Sequence, residues 1–199
     1  EENTFYMPHR SHTQIEPHAA IARWENGELE IYASTQSPFV VRNTIADMFG
    51  LPFTAIKVKT QYLGGGFGGK SDVTIEPLLA YIARAVPGQW VKLTLSREEA
   101  FNATVVGRGA RVHIRSAFNS DGRIRAEKLK MYFASGAYGS YALHVATAGG
   151  HNCNGPYDVP HVESHSYGLY TNQPPVGAFR GYSHPETHWA VERQRTMIA

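Results

Sequence analysis

The stretch 64–71 reads Gly-Gly-Gly-Phe-Gly-Gly-Lys-Ser, and five of its eight residues are glycine. It follows an alternating, β-rich segment at 56–62 and precedes apolar residues at helical spacing between 75 and 82. This order predicts a glycine loop between a strand and a helix. Such a loop lets a ligand approach the backbone closely, and its N–H groups beside a helix N-terminus form an anion site. We therefore expect the glycine loop (64–71) to bind a phosphate, a pyrophosphate or an oxo-anion.

The composition indicates an ordinary globular protein. The chain has 199 residues, of which 42% are hydrophobic and 18% are charged. Basic residues exceed acidic ones by 19 − 17 = 2, which is too small an excess to favour nucleic acid or an anionic membrane as a partner. No apolar run is long enough to span a membrane. The one cysteine, Cys153, allows neither an internal disulfide nor a cysteine metal cluster, which suits a reducing compartment.

Turn and cap signals along the chain indicate the fold class. Asn26-Gly27 and Asp121-Gly122 each separate two strand-like segments, which is typical of β-hairpins. Ser96, with a glutamate three residues later, predicts a capping box. Helices are expected between these strands, so we predict an α+β fold, with a mixed sheet containing hairpins and several packed helices in a single domain.

Finer details of the helices follow from the same signals. Ser37-Pro38 and Ser183 are expected to begin helices, and Ser71 or Asp72 is expected to cap the helix after the glycine loop. The helical pattern predicts buried faces formed by Val41, Ile45 and Met48 in the helix after Ser37 and by Trp189, Val191 and Met197 in the last helix.

The glycine loop also fits the nucleotide-binding pattern G-x-x-x-x-G-K-[ST], with Lys70 and Ser71 in the last two places. A nucleotide site of this kind also needs an aspartate at the end of an apolar strand to hold magnesium. The later strands end at Ser96 and Gly136 without one. The hairpin signals also disfavour the parallel order of such domains.

Several segments in order resemble the xanthine dehydrogenase/aldehyde oxidase family, the molybdenum hydroxylases. The glycine loop resembles that family's Gly-Gly-Gly-Phe-Gly-Gly-Lys loop, and residues 177–186 resemble its Gly-Ala-Phe-Arg-Gly-Phe segment. Three shorter segments are also similar to the family: Ile15–Ala20, Ser34–Gln36 and Ser135–Gly139. The resemblance covers nearly the whole chain, so residues 1–199 are expected to be the front part of a molybdenum-cofactor-binding domain in a longer polypeptide.

The resemblance implies an oxidoreductase that oxidises an aldehyde or hydroxylates a carbon of a heteroaromatic or small substrate. The added oxygen comes from water, and carbon monoxide oxidation is a variant. The implied cofactor is molybdenum–molybdopterin, with a dinucleotide form left open. The implied partners are 2Fe–2S and FAD subunits or domains of the same enzyme, in a homo-oligomeric complex. We expect a cytoplasmic location, with the periplasm as the alternative.

Site residues are carried over by position in the matching segments. The resemblance implies that Gly66, Phe67, Gly68 and Arg180 contact the cofactor, while Phe179 and Tyr182 flank the substrate. No residue is expected to ligate the metal directly. The family's general base is a glutamate further along its sequence, and neither Glu16 nor Glu186 corresponds to it. We therefore expect the isolated chain to be inactive and without cofactor.

The sequence also departs from the family pattern. Arg10 is interpreted as replacing a glutamine that lies near the metal in many members. Ser71 replaces a glutamate, and Ala148 replaces an arginine, of the purine-oxidising members, which argues against a purine substrate. A P-loop nucleotide-binding protein and a non-catalytic scaffold remain the alternatives. The histidine pairs at 161/165 and 184/188 are expected to be exposed or capping residues, because no third metal ligand is evident.

Overall fold

Eight β-strands and five α-helices make up the regular structure of the computed structural model, which describes all of residues 1–199. In chain order they are β1 (Glu2–Met7), β2 (Ala19–Glu25), β3 (Glu28–Ala33), α1 (Pro38–Phe49), β4 (Ile56–Lys59), α2 (Glu76–Ala85), β5 (Val91–Thr94), α3 (Arg97–Asn102), β6 (Ala110–Phe118), β7 (Ile124–Gly136), α4 (Ala142–His151), β8 (His161–Tyr170) and α5 (His184–Ile198). None of the helices has the length and apolar character needed to cross a bilayer.

The chain divides into two compact units. The loop unit, His12–Val105, contains the glycine loop. The turn unit, Glu1–Ser11 with Val106–Ala199, contains residues 177–182, which we call the arginine turn. Each unit has a mixed four-stranded sheet, so the predicted α+β class is confirmed.

The loop unit is built on a sheet with the strand order β4-β3-β2-β5. The pair β3–β4 is parallel and the other two pairs are antiparallel. The predicted hairpin turn at Asn26-Gly27 is confirmed, since both residues have positive φ. Helices α1 and α2 pack together beside the sheet around the buried side chains Leu29, Ile31, Val41, Ile45 and Leu79.

The turn unit is built on a sheet with the strand order β1-β6-β7-β8, in which only β7–β8 is parallel. Helix α4 packs on β7 and β8, while α5 packs on β6 and β1. The shared core includes Ile114, Leu129, Met131, Phe133 and Val191.

Several predicted details of the helices are wrong. Helix α2 begins at Glu76 with Ile75 as its N-cap, not at Ser71 or Asp72. The carboxylate of Glu76 itself accepts from the N–H of Thr74 at 2.9 Å, so it satisfies a donor just before the helix.

The predicted buried faces also need correction. Met48, Trp189 and Met197 are exposed, by 43–59%. The buried face of α5 instead includes Glu186, Thr187 and Gln194. Val41, Ile45 and Val191 are buried as predicted. The apolar spacing of α5 could not reveal the polar part of its inward side, because those polar groups bond inside the protein.

Candidate functional site

The glycine loop folds back on itself through two hydrogen bonds. The N–H of Gly69 donates to the Gly66 carbonyl at 2.8 Å, and the N–H of Ser71 donates to the Gly68 carbonyl at 3.2 Å. Phe67 lies between these bonds with φ of +53° and is 48% exposed. Left-handed backbone is unfavourable for an aromatic residue, so the surrounding bonds must hold it there. The loop therefore presents the Phe67 ring at the protein surface.

Gln36 determines the shape of the loop. Its side-chain oxygen Oε1 accepts from the N–H groups of Gly68 at 2.9 Å and Lys70 at 3.3 Å, and its own N–H donates to the Lys70 carbonyl. A Cβ on Gly66 would lie 2.3 Å from that oxygen, so any other residue would displace the Gln36 side chain. The side-chain nitrogen Nε2 of Gln36 remains as a donor that the loop does not use.

Lys70 and Glu16 join the two ends of the loop. The Lys70 side chain is fully buried, and its Nζ lies 2.6 Å from Glu16 Oε2. The same carboxylate oxygen accepts from the N–H of Gly64 at 3.0 Å. Burial alone would raise the pKa of Glu16, but the bonds from Lys70 and Gly64 outweigh it and leave the pKa below its ordinary value. The Glu16 carboxylate is therefore charged at neutral pH.

This geometry does not suit a nucleotide phosphate. The Lys70 ammonium is enclosed and paired, so it is not available to a phosphate. Residues 71–75 also separate the loop from α2, so the expected anion site at a helix N-terminus is not formed by this loop.

His18 is a buried residue that holds the glycine loop through a hydrogen bond to its backbone. Its Nε2 lies 2.9 Å from the Gly69 carbonyl, and the residue is only 1% exposed. The ring donates this bond as a neutral imidazole, because burial lowers the pKa of His18 below its ordinary value. The segments 15–20, 34–36 and 64–71, noted separately in the sequence, thus meet in one place.

The arginine turn is the second candidate element, in the other unit. The N–H of Tyr182 donates to the Phe179 carbonyl at 2.6 Å, and both Gly181 and Tyr182 have positive φ. Arg180 is exposed at the tip. The Phe179 ring packs so closely on Gly107 that a Cβ there would lie 2.5 Å from it.

Two arginines and a glutamate lie under this turn. Arg108 is 1% exposed and donates to the carbonyls of Tyr182 and of Gly177, the latter at 2.7 Å. Arg10 pairs with Glu186, which is also 1% exposed, and its guanidinium lies 4.8 Å from the centre of the Phe179 ring. Burial lowers the pKa of Arg108 to about 10, although the nearby Glu186 carboxylate opposes the shift.

The predicted site residues therefore fall in two groups. Gly66, Phe67 and Gly68 lie on the glycine loop, while Phe179, Arg180 and Tyr182 lie on the arginine turn. The Gly68 N–H is already used by Gln36, whereas the N–H groups of Gly66 and Phe67 make no hydrogen bond within the protein. In both groups, side chains from elsewhere in the same unit hold the backbone: Gln36 at the glycine loop and Arg108 at the arginine turn.

Sequence reasoning missed Gln36 and Arg108 as residues that shape these two elements. Gln36 stands in a segment that resembles the family, and that resemblance was the available signal. Arg108 lies between Gly107 and Gly109, and nothing in the local pattern indicates that it is buried.

The paired histidines form no metal centre. The His184 ring contacts the Gly181 carbonyl through Nδ1 at 2.9 Å, and the His188 ring contacts the Asn152 carbonyl through Nε2 at 3.1 Å. No cluster of three histidine, cysteine, aspartate or glutamate residues in the chain could hold a metal ion.

Comparison with known proteins identifies the family to which this chain belongs. The sequence model of the molybdopterin cofactor-binding domain matches residues 1–199 and so includes both units in one domain. The nicotinate dehydrogenase large molybdopterin subunit of Eubacterium barkeri is 34% identical, over 100% of this chain and 47% of that protein. A putative xanthine dehydrogenase molybdenum-binding subunit of Escherichia coli is 33% identical, over 94% of this chain and 25% of that protein. The chain thus spans half or less of these relatives.

Solved structures agree on the fold. The aldehyde oxidoreductase of Desulfovibrio gigas superposes with a TM-score of 0.92 at 24% identity, over 100% of this chain and 22% of that one. Quinoline 2-oxidoreductase of Pseudomonas putida superposes with a TM-score of 0.84 at 27% identity, over 98% of this chain and 26% of that one.

Proposed function

Since the chain belongs to the molybdopterin cofactor-binding domain family, we propose that it is the cofactor-binding front part of a molybdenum hydroxylase. The whole enzyme would oxidise an aldehyde or hydroxylate a carbon of a heteroaromatic or small substrate with oxygen taken from water. The observation that supports this most directly is the glycine loop, in which Gln36 and the Lys70–Glu16 pair hold the backbone while the N–H groups of Gly66 and Phe67 make no hydrogen bond within the protein.

The loop residues fit an oxygen-rich anionic group. The N–H groups of Gly66 and Phe67 are available, and donors held in place stabilise negative charge more effectively than mobile ones. Gly66 has no Cβ, and Phe67 would shield the bound group from water. When bound, the molybdenum–molybdopterin cofactor supplies the redox chemistry, while this chain binds and orients it.

Gln36 supplies an amide beside the loop. The resemblance implies that Arg10 replaces a glutamine near the cofactor. However, Arg10 forms an ion pair with Glu186 in the turn unit. Gln36 lies at the glycine loop, and its oxygen is held by two backbone N–H groups. Its Nε2 would therefore donate to the cofactor, so the amide function is retained at Gln36.

The substrate is proposed not to be a purine. Ser71 and Ala148 cannot provide the carboxylate and the guanidinium that the resemblance assigns to purine-oxidising members. The rings of Phe179 and Tyr182 would flank a planar or small apolar substrate. Arg180, with its fixed fork of donors, would contribute to cofactor binding.

The general base is proposed to lie outside residues 1–199. Glu16 bonds Lys70 and Gly64, and Glu186 is buried against Arg10, so each carboxylate already has a structural role. The chain alone is accordingly proposed to be inactive and to lack cofactor. The whole enzyme would work with 2Fe–2S and FAD partners, as a homo-oligomer and in the cytoplasm.

The test uses the whole protein that carries this chain. We expect about one molybdenum per chain by metal analysis, and oxidation of aldehydes or heteroaromatic compounds but not of hypoxanthine. Gly66→Ala should lower molybdenum content, while the matched surface change Lys59→Met should not. A folded, metal-free wild-type protein would instead indicate a scaffold. Magnesium-dependent ATP binding would indicate a nucleotide site and overturn the proposal.

A further inference from the structure

The arginine turn depends on one buried side chain. Arg108 reaches both ends of residues 177–182, because it donates to the carbonyls of Gly177 and Tyr182. These two carbonyls flank the residues expected to meet cofactor and substrate. A guanidinium can do this because its donors form a planar fork, whereas a lysine has only one nitrogen.

The backbone that carries Arg108 is itself held in place. Gly107 and Arg10 exchange both backbone hydrogen bonds, and Val106 bridges to Val176 just before the turn. The Gly109 carbonyl accepts from the N–H of Ala134 at 3.0 Å. The guanidinium therefore extends from a fixed base, which is what a group that positions a turn requires.

The cluster under the turn also carries an excess of positive charge. Arg10 and Arg108 provide two cations, and Glu186 provides one anion. Arg108 is almost completely removed from water, and a buried charge is costly unless something balances it. A negatively charged group bound at the turn would reduce this imbalance. The exposed Arg180 needs no such partner, because water solvates its charge.

We propose that Arg108 is the positioning residue of the arginine turn, and that its buried guanidinium favours binding of an anionic group there. The positioning half of this proposal stands on the contacts of Arg108 alone. The anion half rests on the proposed function, in which that group belongs to the molybdenum–molybdopterin cofactor.

The test compares Arg108→Gln and Arg108→Lys with Arg195→Gln in the whole protein. Arg195 is a suitable control because it makes a two-pronged pair with buried Glu127 in the same unit, with Nη2 to Oε2 at 2.7 Å. All three variants lose a buried contact, but only the first two remove support from the turn. Limited trypsin digestion after Arg180, followed by mass spectrometry, reports the order of the turn directly.

We expect the rate of cleavage after Arg180 to rise roughly tenfold in both Arg108 variants and to stay at the wild-type value in Arg195→Gln. Equal cleavage in all three variants, at matched thermal stability, would overturn the positioning role. If Arg108→Gln does not accumulate as folded protein, Arg108→Lys decides, because it keeps the cation but cannot hold both carbonyls.

Molybdenum content distinguishes the two halves of the proposal. It should fall more than twofold in Arg108→Gln, fall less in Arg108→Lys, and remain unchanged in Arg195→Gln. Wild-type content in both Arg108 variants would overturn the anion half. A wild-type protein without molybdenum would overturn the proposed function itself, and cleavage after Arg180 would still report on positioning.

Discussion

The glycine loop and the arginine turn are both held by buried ionic side chains, but the charge balance of these side chains differs. Under the loop, one buried lysine meets one carboxylate, so Lys70 and Glu16 cancel. Under the turn, Arg10 and Arg108 face the single carboxylate of Glu186. On the proposed function, the loop would therefore contribute uncharged N–H donors to cofactor binding, and the turn would add net positive charge.

The largest effect should come from Glu186→Gln. It leaves the buried Arg108 guanidinium and the partly exposed Arg10 guanidinium without a carboxylate, and breaking a buried pair costs about 3–5 kcal/mol. Since the Arg10 side chain is 30% exposed, we expect a loss of about 3 kcal/mol in unfolding free energy, measured by chemical denaturation. Hydrogen exchange should rise at residues 177–182 and not at 64–71.

The matched control is Glu192→Gln on the same helix. Glu192 is exposed and accepts only from the Tyr157 hydroxyl, so stability should not change. A Glu186→Gln protein as stable as this control would mean that the carboxylate does not balance the arginines.

Lys70→Met should have the next largest effect. It removes the buried partner of Glu16, but Glu16 is about one-third exposed and water can partly replace the lysine. We expect a loss of about 2 kcal/mol and faster hydrogen exchange confined to residues 64–71. Lys57→Met, which removes an exposed lysine of the same unit, should leave both unchanged. Faster exchange at 177–182 instead would contradict the separate support of the two elements.

Gly66→Ala should cost less, about 1–2 kcal/mol, because the new methyl group displaces Gln36 and breaks its two acceptor bonds. Adding Gln36→Ala tests this cause. In that background the three atoms nearest to the new methyl group are gone, so the further cost of Gly66→Ala should nearly vanish in a double-mutant cycle. Additive costs would show that Gln36 does not impose the glycine.

The smallest effect concerns pH. Because burial lowers the pKa of His18 from 6.5, the unfolded chain binds a proton more readily than the folded one below that pH. Stability is therefore fully present above pH 6.5 and falls as pH drops, by at most about 1.4 kcal/mol per pH unit. His18→Gln should remove this part of the slope between pH 7 and 5, measured by urea denaturation. The lowered pKa of Glu16 should add a further loss below pH 4.5.

Local signals in the sequence predicted the local structure well. The hairpin at Asn26-Gly27 and the capping box of Ser96 with Glu99 are both confirmed. Each depends on residues within a few positions of one another, so its physics is visible in a short window.

The polar interior was not predictable in the same way. Lys70, Arg108 and Glu186 look like surface residues in the sequence, and only the folded chain brings them to partners 54 to 176 positions away. Likewise, Gln194 is fully buried because it bonds Ser116 and the Glu1 carbonyl. The family resemblance located both candidate elements, but it could not show which side chains support them.

The complete enclosure of Lys70 also affects its reactivity. An amine that solvent does not reach is protected from acylating reagents, so Lys70 should remain unmodified while exposed lysines such as Lys57 react. Acylation of Lys70 would then show that the loop had opened, and its absence would show that the loop had stayed closed. The residue thus provides a built-in chemical probe of whether the loop is intact.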